Sequence, residues 1–227
     1  MRRFGPAAAP TVESALKKSR TIILKGFSAG NMPLIDHSTL STGLWQPGRR
    51  YGAWDVFARP RKPLVAVDKP WDELSCAEIR CREVNARGVE LETFLRDSEI
   101  AEAAVKEALR EIESVRENLA PEDYTYLKTC FADALPMLEA VRLTAAGARA
   151  SARCMESKTK ENQRDVETAC IAMEACADRI EAERGIDFRH AHWFFKTRLN
   201  GREIAGYGVP VALRAIAEQF RAEREDR

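Results

Sequence analysis

The chain has 227 residues and 45% of them are hydrophobic, enough to bury a core and too many for a disordered polymer. Its net charge of +1 hides an uneven split: residues 1–70 carry 12 Lys or Arg against 4 Asp or Glu, a balance of +8, which leaves −7 on residues 71–227. The cations form no unbroken basic run and no window is apolar enough to span a bilayer, so neither nucleic acid nor a membrane is an expected partner.

Met1 to Pro10 lack the apolar segment of a secretory signal, which makes a soluble, cytoplasmic protein the expectation. The cysteines Cys76, Cys81, Cys130, Cys154, Cys170 and Cys176 include no Cys-x-x-Cys pair, so no zinc site is expected and a reducing compartment is. Cys170 falls in the apolar series Val166, Cys170, Met173, Ala177, Ile180, whose steps of four and three mark it as a small core residue.

Taken in chain order, residues 1–20 read as a mobile lead-in, with Val12 to Lys18 forming at most a helical turn or two. Residues 21–70 form a strand and loop-rich segment. In it, β-branched Thr21, Ile22 and Ile23 before Leu24 predict a buried strand that Gly26 ends, and Trp54 to Ala58 and Leu64 to Val67 are short strand partners. Residues 71–227 are expected to be a helical bundle domain that unfolds cooperatively on its own. The fold class is therefore mainly α, an antiparallel helical bundle with a few short strands near its N-terminus.

The first bundle helix is expected from Trp71-Asp72-Glu73 to about Ala86, with Gly88 closing it in the left-handed conformation. A second carries Val105, Leu109, Ile112, Val115 and Leu119 on one stripe and ends before Pro121. Pro121-Glu122-Asp123 starts a third, expected to run to about Met155 with a kink at Pro136. A fourth spans about Glu161 to Arg184 before Gly185. Asn200-Gly201 marks a turn, and a closing helix carries Leu213, Ile216 and Phe220.

Candidate chemistry concentrates before Trp71. Lys25 leads into a glycine-containing loop, but a phosphate cradle needs its lysine after the glycines, at the start of a helix, so a nucleotide is not expected. Asp36 and His37 stand beside Ser38 and Thr39. A hydrolase triad would need a base oriented by a carboxylate, but neighbours on a strand point to opposite faces, so the string reads first as turn-forming side chains bonded to local backbone. The stretch Leu44 to Asp55 is the strongest candidate: Trp45, Tyr51 and Trp54 offer stacking faces, and Arg49, Arg50 and Asp55 offer directed hydrogen bonds, the mixture a sugar ring requires. The same aromatics could instead seal a core. His190 and His192, two residues apart, would need a third ligand such as Asp187 or His37 to hold a metal, and no zinc spacing is present.

The predicted strand into Lys25-Gly26-Phe27, followed by a long helical region with the segment Phe188 to Phe195 near its end, resembles the C-terminal part of α-glucuronidase-like glycoside hydrolases. In that family a late barrel strand and its loop precede a mostly helical tail. The resemblance implies a carbohydrate-related protein, an incomplete or accessory C-terminal region whose catalytic carboxylates lie in further chain, with no cofactor. Trp45, Arg49, Arg50, Tyr51, Trp54 and Asp55 would line a sugar subsite, with Lys25, Asp36 and His37 in support. The alternative is a non-enzymatic helical module that binds a protein partner.

Overall fold

Small and apolar residues at Ala8, Val12, Ala15, Ile22 and Gly26 share one side of a helical wheel, and all are buried. That stripe draws the start of the chain into a 22-residue helix, α1 (Gly5–Gly26), with Pro6 in its first turn, where a missing N–H costs little. The computed structural model describes residues 4–29, 32–33, 66, 68–70, 73–86, 88–188, 195–206 and 208–225. Within them, two expectations are overturned: the lead-in is helical from Gly5 onward, and Thr21–Lys25 is the end of α1, not a strand. The β-branched run carries only a weak strand preference, and packing overrides it. Ile22 turns inward while Ile23 and Leu24 turn out, as a helix requires.

Short strands β1 (Ser28–Ala29) and β2 (Met32–Pro33) follow as an antiparallel pair. Helix α2 (Cys76–Ala86) begins later than Trp71 because Ser75 and Glu78 cap it reciprocally. The Glu78 N–H donates to Ser75 Oγ at 3.2 Å, and the Ser75 N–H donates to Glu78 Oε2 at 2.9 Å. Gly88 does not close this helix; it opens α3 (Gly88–Ser114), and it is not among the described glycines with positive φ. A 3₁₀ turn (Arg116–Asn118) leads to α4 (Pro121–Ala132), with Pro121 at the start as the sequence suggests.

The expected kinked helix is in fact two, α4 and α5 (Ala134–Glu156), broken at Asp133. Pro136 is the third residue of α5, where a backbone N–H has no partner within the helix, so it starts a helix instead of bending one. Helix α6 (Lys160–Arg184) begins at Thr159, whose Oγ1 accepts from the Asn162 N–H at 3.1 Å, and ends at Gly185 with φ +89°. Strands β3 (Phe195–Leu199) and β4 (Arg202–Gly206) pair antiparallel across Asn200-Gly201, whose φ values of +51° and +77° suit a tight two-residue hairpin. Helix α7 (Val209–Glu225) closes the chain.

The packing centres on α5, which touches α2, α3, α4, α6 and α7. Its inward residues are mostly small: Ala140, Thr144, Ala145, Gly147, Ala148, Ser151 and Ala152 are all buried, so neighbouring helices come close. Helix α1 lies on α3, and α7 lies on both α5 and α6 with β3 against it. The first nine residues of α7, Val209 to Ala217, are buried on every side. The chain enters α7 through Gly208, where a β-carbon would fall 1.8 Å from the Ile186 carbonyl oxygen. The bundle thus includes α1, which packs along α3 and whose buried Ala8, Val12, Ala15 and Ile22 belong to the same core cluster as the residues of the later helices.

At Gly147 a β-carbon would lie 2.7 Å from Phe220 Cε2 and 3.2 Å from Met173 Cε, both on fully buried side chains. Alanine favours a helix interior over glycine by about 1 kcal/mol, but overpacking a tight core costs about 1–3 kcal/mol. Gly147→Ala is therefore expected to lower stability in urea melting, and Gly147→Ala with Phe220→Leu to lose less than the two single changes added together. A stabilised Gly147→Ala would show that the contact is loose.

Candidate functional site

Of the residues singled out from the sequence, Lys25 is described. It sits in the last turn of α1, not at the mouth of a loop, and its Nζ donates to Asp97 Oδ2 on α3 at 2.9 Å. Lys25 therefore ties two helices together, and its charge is occupied. Trp45, Arg49, Arg50, Tyr51, Trp54, Asp55, Asp36 and His37 lie outside the described residues, as do His190 and His192. Cys170 is fully buried, as the periodicity indicates, and burial pushes its thiol up to about 12, well away from a usable thiolate. Cys176 is raised to about 12 for the same reason.

The largest array of directed charge among the described residues lies along the seam of α6 and α7. Arg214 Nη2 stands 2.6 Å from both Asp178 and Glu181. Arg221 reaches Glu174 at 2.5 Å and Glu167 at 3.0 Å, and Arg224 reaches Glu167 at 2.8 Å. Glu167, Glu174 and Glu181 recur every seven residues on α6, as Arg214 and Arg221 do on α7. That spacing is visible in the sequence and is the signal that would have revealed the seam. It acts as a fastening. Among the described residues, buried Arg214 Nε and Nη1 have no hydrogen-bond partner; burial lowers the guanidinium, but hydrogen bonds to Asp178 and Glu181 outweigh it and hold the group above its ordinary range.

A second cluster joins α4 to the end of α3. The Tyr124 hydroxyl donates to Glu113 Oε2 at 2.6 Å and accepts from Lys128 Nζ at 2.8 Å, while Arg116 and Lys128 each lie 5.2 Å from the ring centre. Hydrogen bonding to the Tyr124 hydroxyl, then to Glu113, raises the Lys128 ammonium; the same hydroxyl, with Lys128, lowers Glu113. A phenol between an ammonium and a carboxylate could pass a proton, but the described crevice is elsewhere. Lined by Ser151, Cys154, Val166, Phe220, Glu223 and Arg224 among others, it has room for about one water molecule. Among the described residues, no three His, Cys, Asp or Glu side chains are placed to hold a metal, and no helix is long and apolar enough to cross a membrane.

The outer side of α1 is a different kind of surface. Leu16, Ile23 and Leu24 are 45%, 50% and 55% exposed, with exposed Arg20 between them. On the inner flank Ser14 and Lys18 bind Glu111, each at 2.8 Å, which fixes the rotation of the helix and hence the direction this surface faces. Comparison with family models, curated proteins and solved structures finds no match to this chain.

The α6–α7 seam has a pH consequence. Hydrogen bonds from Arg221 are the largest influence on Glu167 and outweigh burial, so its folded pKa is lowered. A lowered carboxylate contributes stability above its unfolded pKa of about 4.3, and that contribution is lost as pH falls through the folded value. Glu167→Gln is expected to be less stable than wild type at pH 7, with the two thermal midpoints converging in acid. A constant gap between the two curves down to pH 2 would show that the ion pair contributes nothing.

Proposed function

We propose that this chain works by binding another protein, as a helical module that docks through the outer side of α1. The observation that carries this reading is the clustering of exposed apolar side chains. Of the seven large hydrophobics that stand exposed among the described residues, Leu16, Ile23 and Leu24 fall within nine residues of one helix, while Val89, Ile100, Tyr126 and Ile171 are spread over three others. Apolar residues scattered singly are ordinary; several on one exposed helix face are a feature of binding surfaces. Each is about half exposed, so covering them would return about 1 kcal/mol apiece. Ion pairs to α3 hold the helix in place, which lowers the ordering cost of docking.

A second reading, sugar binding, is supported by the residue types of Leu44 to Asp55, with Trp45, Tyr51 and Trp54 to stack on a ring and Arg49, Arg50 and Asp55 to bond its hydroxyls. It now rests on that stretch alone, since the barrel-like strand at Thr21–Lys25 that accompanied it is helical.

A benzophenone side chain introduced at Ile23 is expected to cross-link a partner protein in the source cell that the same group at Ile171 does not capture. Equal capture at both sites, or none at Ile23, would defeat the docking face. For the sugar reading, a glycan array probed with the intact chain is expected to show binding that Trp54→Ala abolishes; an array silent to wild type removes it.

A further inference from the structure

The charges around the α1 face say what kind of surface fits it. At 100° per residue, Leu16, Ile23 and Leu24 fall within about a 100° sector of the helix, and Arg20 lies inside that sector. Arg20 is exposed and has no ion-pair partner among the described residues. Its neighbour Lys17 is already matched by Glu13 at 2.9 Å, and Lys18 and Lys25 point inward to Glu111 and Asp97. The sector also holds Glu13, whose charge Lys17 answers, which leaves Arg20 as its one cation without an ion-pair partner among the described residues.

We propose that the occupant of this face is an amphipathic helix of a partner protein that sets one carboxylate among its apolar side chains, opposite Arg20. This rests on the docking role proposed above for α1. A wholly apolar partner would strip water from the Arg20 guanidinium and leave it unpaired, which offsets what the three aliphatic contacts contribute. A carboxylate answers the guanidinium with a bidentate charge-assisted pair, and Arg20 repels a cationic partner. An apolar sector about 100° wide matches the stripe a second helix presents. An anionic lipid surface fits less well, because such surfaces reward several free cations at about 1 kcal/mol each, and here Lys17, Lys18 and Lys25 are all engaged.

The test uses two fluorescent helical peptides with leucines at three- and four-residue spacing, identical except for Glu or Lys at the central position, titrated with the full chain by anisotropy. The Glu peptide is expected to bind at least tenfold more tightly than the Lys peptide, and the order is expected to reverse for Arg20→Glu, a surface change whose fold is checked by circular dichroism. Equal affinities would overturn the carboxylate while leaving α1 as a docking face. Failure of both peptides to bind would overturn the helical occupant, and cross-linking from Ile23 would then judge the face by itself. Co-sedimentation with phosphatidylserine vesicles that Arg20→Glu abolishes, without any peptide preference, would overturn the proposal in favour of a membrane surface.

Discussion

The arrangement depends on how closely other helices can approach α5. Alanine, serine, threonine and glycine along its inner side let α7 bring Phe220 against Gly147 and let Met173 of α6 reach the same point. The small residues make room for large, fully buried side chains, and close packing of that kind sums many small dispersion contacts. Gly26 repeats the device where α1 ends. A β-carbon there would fall 2.1 Å from Leu138 Cδ2 and 2.8 Å from Ala101 Cβ, so α1, α3 and α5 meet over a glycine. Small residues at such crossings decide which helices can be neighbours at all.

Charge then selects register among the packings that apolar contact permits. On α1 the inward lysines meet Glu107, Glu111 and Asp97 of α3, and on α7 the arginines meet the acids of α6 in steps of seven. Partly exposed pairs of this kind contribute little individually, but a packing that took both carboxylates from Arg214 would leave its guanidinium buried and unpaired. The cation-rich start and acid-rich remainder of the chain thus serve in part to pair α1 with the bundle. What the pairing leaves over on α1, among the described residues, is Arg20, exposed and without an ion-pair partner.

Much of the helical architecture could be read directly. The Val166 to Ile180 series, the proline that starts α4, the glycine that ends α6 and the Asn-Gly turn all fall where periodicity and turn chemistry put them. The departures share one cause. Thr21-Ile22-Ile23 has strand propensity, Gly88 has cap propensity and Pro136 has kink propensity, and each of these is local. Ile22 is helical because Ala8, Val12 and Ala15 need α3, and Gly88 opens a helix because α3 extends back to Leu91 and Phe94 in the core. The candidate site suffered likewise. Lys25 read as a loop lysine because its partner, Asp97, lies 72 residues away.

By itself the sequence determined the helical class, most of the bundle helices and the buried, unreactive character of Cys170, because these follow from spacing along one element. Tertiary structure alone decided that α1 belongs to the bundle, that α5 is its centre and that Arg20 faces out while Lys18 and Lys25 face in. Those facts depend on pairs of residues far apart in the chain, and a local pattern records which side of a helix is apolar without recording what will cover it.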